Sequence, residues 1–133
     1  MEKFSNHQLD KLFSSTFERY GFDKDDAINY VPLFLLHELS QTENKKAFIT
    51  VANSLIEISV NEQAFSFNEV KRSVKKLHCA IVSDYQNLEQ RLQLFSALLH
   101  KSLIEKNIFN TIIDAGKFGE VVFHSKPPKE LLH

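Results

Sequence analysis

Apolar side chains recur three and four residues apart along most of this 133-residue chain, which is the spacing of one face of an α-helix. The first such stretch begins with a capping box, in which Ser5 and Gln8 can satisfy each other's backbone N–H groups. Gly21 suits the left-handed residue that follows many helices. A first helix is therefore predicted to begin at Ser5 and end just before Gly21, with an apolar stripe of Leu9, Leu12, Phe13, Phe17 and Tyr20.

Two more helices are predicted in the first half of the chain. A nearly all-round apolar segment runs from about Asn29 to Ser40, as expected of the central element of a bundle. With Asn29 as N-cap, Pro32 falls in the first turn, where proline loses no hydrogen bond; an earlier start would make Pro32 a kink. A third helix is predicted from about Glu43 to Val60, and its polar, nearly uncharged side is interpreted as a face under a neighbouring loop.

The second half predicts two or three helices and an extended tail. Ser66 and Glu69 form a second capping box, which begins a fourth helix. A longer fifth helix is expected to end near Lys106, and a short sixth to run from about Asn107 to Asp114. The segment Val121–Phe123 is typical of extended chain. With no second strand candidate in the sequence, it is expected to lie across the bundle or, less often, to pair with the edge of another chain.

These elements predict an all-α fold, a compact bundle of five to six helices with a short extended C-terminal tail at about 117–133. The whole chain, 1–133, is expected to form a single helical domain, because its length suits one core. Glycine and proline occur only three times each. This scarcity favours helices over sheets, which need many tight turns.

The composition restricts the possible cellular compartments of the protein more than its possible functions. The net charge is −1, with 16 basic and 17 acidic residues, so no global field attracts nucleic acid or an anionic membrane. Cys79 is the single cysteine, which fits a reducing compartment. The N-terminus has no signal-peptide pattern, and the longest apolar run, Val31 to Leu36, is far too short to span a membrane. A cytoplasmic protein without membrane contact is predicted.

No catalytic motif is found. The three glycines are isolated, so they form neither a dinucleotide fingerprint nor a phosphate-binding loop, and no nucleophile elbow occurs. A metal site could assemble across helices from a scattered set, but the repeated Glu-x-x-His signature of metal-binding bundles is missing. We therefore predict no enzyme, no cofactor, no metal and no small-molecule substrate. The scattered set is His37, Glu38, His78, Cys79 and His100.

Two helix faces are candidates for partner binding. On the fourth helix, basic residues form like-charged pairs four apart, which an acidic partner or an acidic part of this chain could offset. On the fifth helix, Leu94 and Leu98 lie opposite the main apolar row with Arg91 and Lys101 nearby, so this face is either buried in the core or contacts another chain. The basic residues are Lys71, Arg72, Lys75 and Lys76.

The function predicted from these features is a non-catalytic protein-binding module of the adaptor, inhibitor, immunity or chaperone kind, acting through a helix face. Its partner would be another protein or a second copy in a homodimer. The alternative is a nucleic-acid-binding regulator that uses the basic stripe on the fourth helix.

Overall fold

The structure, a computed structural model, describes residues 4–61 and 70–126. These residues form four helices and a four-stranded antiparallel sheet. The predicted all-α bundle of five to six helices is therefore wrong, and the fold is mixed helix and sheet. Two segments that were expected to be helices are strands, and the predicted extended tail contains a third piece of the same sheet.

The N-terminal region follows the prediction closely. Helix α1, Asn6–Leu12, begins at the Ser5–Gln8 capping box, with both reciprocal hydrogen bonds present. It continues through a π-helical turn, Phe13–Phe17, and a 3-10 turn, Glu18–Tyr20. Gly21 ends the run in the left-handed region at φ +83°, where glycine has no steric cost.

Helix α2, Ala27–Ser40, begins two residues before the predicted start. Pro32 consequently lies inside the helix and not in its first turn, where it removes one backbone hydrogen bond. Nine of the fourteen residues of α2 are buried. The helix was predicted to be the central element of a helical bundle; the bundle is wrong, but α2 packs against both α4 and the sheet.

The predicted third helix, Glu43–Val60, is a β-hairpin. Strand β1, Lys46–Val51, pairs with strand β2, Ser54–Val60, across the two-residue turn Ala52–Asn53. Ala52 has φ +52°, a conformation usually supplied by glycine, so the sequence lacked the usual turn signal. The nearly uncharged polar side that was interpreted as a covered helix face includes residues at strand and turn positions.

Helix α4, Leu88–Glu105, corresponds to the predicted fifth helix. Helix α3, Arg72–Asp84, corresponds to the predicted fourth helix but begins after its N-cap residue Lys71, six residues later than the predicted start at Ser66. Asn87 caps α4 by accepting a hydrogen bond from the backbone N–H of Gln90. The capping box of Ser66 and Glu69 lies outside the described residues.

The predicted sixth helix, Asn107–Asp114, is wrong as well. Strand β3, Asn110–Asp114, pairs with strand β4, Gly119–Ser125, which contains the predicted extended segment. β4 also pairs with β2, and the strand order is β1-β2-β4-β3. The β2–β4 pairing joins residues about 65 positions apart, so the partner strand of the extended segment is not evident from the sequence.

The core lies between the helices and the inner face of the sheet. α2 contacts β2 and β4, α4 contacts β1, and α3 packs against the turns of the 13–20 segment. The inward side chains of the strands alternate with outward ones, as a half-covered antiparallel sheet requires. The most deeply buried inward side chains of the sheet are Ile56, Ile58, Val121 and Phe123.

Candidate protein-binding surface

The outer face of the sheet displays most of the large apolar side chains that the fold leaves exposed. Phe48 on β1 is 61% exposed, Leu55 on β2 is 41% exposed and Ile112 on β3 is 65% exposed. Among the described residues the remaining exposed large hydrophobic is Tyr20, which lies off the sheet. Exposed apolar side chains clustered on one surface are typical of an interaction site, whereas scattered ones are not.

The strand register arranges the outer face in three rows. The middle row crosses the sheet as Phe48, Glu57, Val122 and Ile112, from edge strand β1 to edge strand β3. On one side of it lies a row whose members are Thr50, Leu55, His124 and Asn110. On the other side lies a row whose members are Lys46, Ser59, Glu120 and Asp114. Both edges of the middle row are thus apolar.

Charge on the outer face is asymmetric between its two edges. Lys46 on β1 is the basic residue, and its Nζ lies 2.6 Å from Glu57 Oε1 and 5.6 Å from the ring centroid of Phe48. Acidic side chains lie on the other strands, at Asp114 on β3 and Glu120 on β4. The β1 edge therefore carries the basic side chain of the face, ion-paired with Glu57, and the β3 edge carries an acidic one.

The structure places the predicted interface on the fifth helix inside the protein. Leu94 and Leu98 are 1% and 0% exposed, so the core alternative for these two side chains is the one the structure shows. Lys101 Nζ lies 3.0 Å from Glu105 Oε1 and 3.4 Å from Asp10 Oδ1. The pKa of Lys101 is raised, since these carboxylates outweigh the opposing effect of burial.

The four basic residues stay together at the start of α3. Lys71 is the N-cap residue, and Arg72, Lys75 and Lys76 line an open cleft of about 680 Å³. Tyr20 and Cys79 also line this cleft, and the Cys79 side chain is exposed.

Arg91 belongs to a buried polar cluster between three helices. Its Nη2 lies 2.9 Å from Glu38 Oε2 on α2, and its Nη1 donates to the Tyr85 carbonyl at 2.9 Å. Glu38, only 1% exposed, also places Oε1 2.7 Å from His78 Nε2 on α3. His37 packs edge-on against His78, with ring centroids 5.0 Å apart. The cluster thereby joins α2, α3 and α4.

Ionisation in this cluster is set by burial and by its neighbours. Burial alone would raise the pKa of the Glu38 carboxyl, but hydrogen bonds and charges from His78 and Arg91 together lower that pKa. Burial, reinforced by the nearby His78 and Arg91, lowers the pKa of His37 to about 4, although Glu38 acts in the opposite direction. At neutral pH the cluster therefore holds a charged Glu38–Arg91 pair beside a neutral His37.

Three of the five residues considered for a metal site do come together. Ligand atoms of His37, Glu38 and His78 lie within 4.8 Å of one another. The carboxylate is already balanced by Arg91 at 2.9 Å, and a divalent cation there would face that guanidinium in a low-dielectric environment. The geometry favours a structural polar cluster over a metal centre.

His100 lies apart from that cluster. Its Nδ1 is 2.8 Å from the Oγ of Ser54, which is buried at the start of β2. Burial lowers the pKa of His100. The contact ties α4 to the sheet, and the described residues place no carboxylate on this pair that could orient the histidine for nucleophilic catalysis.

Comparison with known proteins adds no relative: no family model, no curated protein and no solved structure matches the chain. Over the described residues, every helix is too short or too polar to cross a membrane.

The outer face was missed because its residues were interpreted as parts of helices. Phe48 and Leu55 both belonged to the predicted third helix, and Ile112 to the predicted sixth. The available signal was the alternation of Ala47, Ile49 and Val51 with Phe48 and Thr50, which is the period of two expected of a β-strand.

Proposed function

We propose that this protein is a protein-binding module that engages its partner through the outer face of its sheet. The observation that carries the proposal is the middle row, which ends in Phe48 and Ile112 on opposite edge strands, each more than 60% exposed. Hydrophobic side chains on a rigid sheet can be desolvated by a partner with little loss of conformational entropy. The proposal keeps the predicted function class and replaces its helix face by the sheet.

The compartment proposed for this function is the cytoplasm. Cys79 is the single cysteine of the sequence and its side chain is exposed. A lone exposed thiol persists best where the surroundings are reducing.

The test is capture of partners on the immobilised full chain from a lysate of the source cells. Phe48→Lys and Ile112→Lys are compared with Tyr20→Lys, which alters an exposed hydrophobic residue away from the sheet. The proposal expects a stoichiometric partner lost with both sheet variants and kept with Tyr20→Lys. Capture that is equal for all three variants, or lost equally in all three, overturns it. Circular dichroism of each variant verifies that the fold is intact.

A second candidate function is nucleic-acid binding through α3. It is favoured by the convergence of Arg72, Lys75 and Lys76 on one cleft beside the aromatic ring of Tyr20, since cationic grooves with aromatic side chains bind nucleic acid strands. With Lys71 included, four phosphate contacts would give a slope of about −3 to −4 in log affinity against log salt. Fluorescence anisotropy with short single- and double-stranded probes measures this slope. Replacing all four residues by alanine should flatten it, and no binding at low salt removes the candidate.

A further inference from the structure

We propose that the partner of the outer face is a second copy of this chain, packed face to face about a twofold axis parallel to the strands. The inference rests on the proposed protein-binding function and names its partner. A closed homodimer needs a self-complementary surface, in which each residue faces a suitable residue of the same surface after rotation. The three rows of the outer face meet that condition for one axis direction.

An axis parallel to the strands exchanges the two edges of the sheet and keeps each row in place. Strand β1 then faces β3 of the second copy, and β2 faces β4, because the order is β1-β2-β4-β3. The register places Phe48 opposite Ile112 of the second copy, and Lys46 opposite Asp114, each pair occurring twice. Apolar edge meets apolar edge, and the basic edge meets the acidic one.

The other in-plane axis, perpendicular to the strands, fails on charge. It would map the middle row onto itself and set Glu57 against Glu57 of the second copy. Like charges that face each other across an interface disfavour that arrangement. With the parallel axis Glu57 instead faces Val122 and keeps Lys46 at 2.6 Å on its own strand pair. The pairing of Lys46 with Asp114 and the separation of the two Glu57 side chains therefore favour the axis parallel to the strands.

The size of the face sets the strength to be expected. Strands β1, β2, β3 and β4 contain six, seven, five and seven residues, so spacings of about 4.8 Å between strands and about 3.4 Å per residue give a projected area of roughly 400 Å². Two such faces bury roughly 800 Å² in total, less than the roughly 1,000 Å² expected of a stable interface, so the dimer should be a weak one with a dissociation constant of roughly micromolar order or above. Aligned packing of two twisted sheets gives a crossing angle of about −30°.

The test is sedimentation velocity of the purified full chain over roughly 1 to 500 µM, a range that brackets a micromolar dissociation constant. The wild type should shift from monomer to dimer. Lys46→Asp alone and Asp114→Lys alone should each be monomeric, because each sets like charges opposite each other twice. An equimolar mixture of the two variants should restore a dimer, since every opposed pair is then of opposite charge. Non-specific association through exposed hydrophobic side chains would not give this rescue by the mixture.

A second pair keeps the test decisive if either charge variant unfolds, as Asp114 also accepts a hydrogen bond from the Gly116 N–H. Phe48→Lys and Ile112→Asp alter exposed side chains, should each weaken the dimer at least tenfold, and should pair when mixed. A wild type that stays monomeric throughout, or a dimer that none of these variants changes, overturns the inference. If the wild type is monomeric while lysate capture still requires Phe48 and Ile112, self-association is refuted and the protein-binding function stands.

Discussion

The buried pair of Glu38 and Arg91 gives the sharpest prediction about stability. Replacing Arg91 with methionine keeps most of the side-chain volume and leaves the carboxylate of Glu38, 1% exposed, beside His78 alone. At the observed 2.9 Å the gross attraction is about 6 kcal/mol for an effective dielectric constant of about 20. Desolvation of both ions offsets most of it in the intact protein.

Removing one partner of a buried ion pair leaves that desolvation cost without compensation. Arg91→Met should therefore lower the free energy of unfolding by about 3 to 5 kcal/mol, with a further contribution of about 1 kcal/mol from the lost bond to the Tyr85 carbonyl. The double variant with Glu38→Leu removes both charges. It should be more stable than Arg91→Met alone, because no unpaired carboxylate remains in the core.

Urea unfolding at pH 7, followed by ellipticity at 222 nm, measures both variants against the wild type. The double-mutant cycle isolates the interaction, since the two side chains are in contact. A loss of less than about 1 kcal/mol in Arg91→Met, or a double variant as unstable as the sum of the two single ones, would refute the reasoning. A suitable control is Asp10→Asn, which removes the exposed carboxylate that pairs with Lys101 away from the sheet and should cost at most about 1 kcal/mol.

Three further outcomes are expected. The free energy of unfolding should fall by about 2 to 3 kcal/mol between pH 6.5 and 4. The reason is that the pKa of His37 is lowered to about 4 in the folded protein, so the unfolded chain takes up the proton at a higher pH. In urea titrations across that range, His37→Gln should lose less of its free energy of unfolding than the wild type. Gly119→Ala should lower the free energy of unfolding by at least about 3 kcal/mol, since Gly119 has φ +134° and a Cβ there would lie 2.1 Å from the Ser59 carbonyl oxygen. A thermal midpoint near that of the wild type would contradict this prediction. Ala52→Gly should stabilise the hairpin by about 0.5 to 1 kcal/mol, because it relieves a positive φ, and an unchanged or lower thermal midpoint would count against that strain.

Local signals were sufficient where a helix is specified by its own caps and stripe. The Ser5 capping box, the left-handed Gly21 and the apolar segment of α2 all appear in the structure as their residues predict. These features depend on hydrogen bonds and contacts within a few positions of one another, so a sequence shows them directly.

The β1–β2 hairpin shows why strand segments were predicted to be helices. Between Ala47 and Val60, apolar residues fit a helical period by coincidence while the strands use a period of two. Tight turns without glycine removed the boundary signal: Ala52 and Asn107 both adopt positive φ. The scarcity of glycine was thus a misleading argument for helices.

The candidate binding surface was also predicted only in part. Lys71, Arg72, Lys75 and Lys76 were recognised as a basic group because they are neighbours on one helix. The outer face could not be recognised in this way. Phe48 and Ile112 lie 64 positions apart in the sequence, and only the β1-β2-β4-β3 order brings them to opposite ends of one row.

The sequence by itself determined the helices that carry their own caps, the apolar character of α2, and the absence of a phosphate-binding or nucleophile-elbow motif. The tertiary structure decided that two apparent helices are strands, that Leu94 and Leu98 are core, and that Glu38, His78 and Arg91 meet. The physical reason is the range of the interactions. Helical hydrogen bonds join residues four apart, whereas the β2–β4 pairing and the buried ion pairs of Glu38 join residues 40 or more positions apart, which periodicity does not encode.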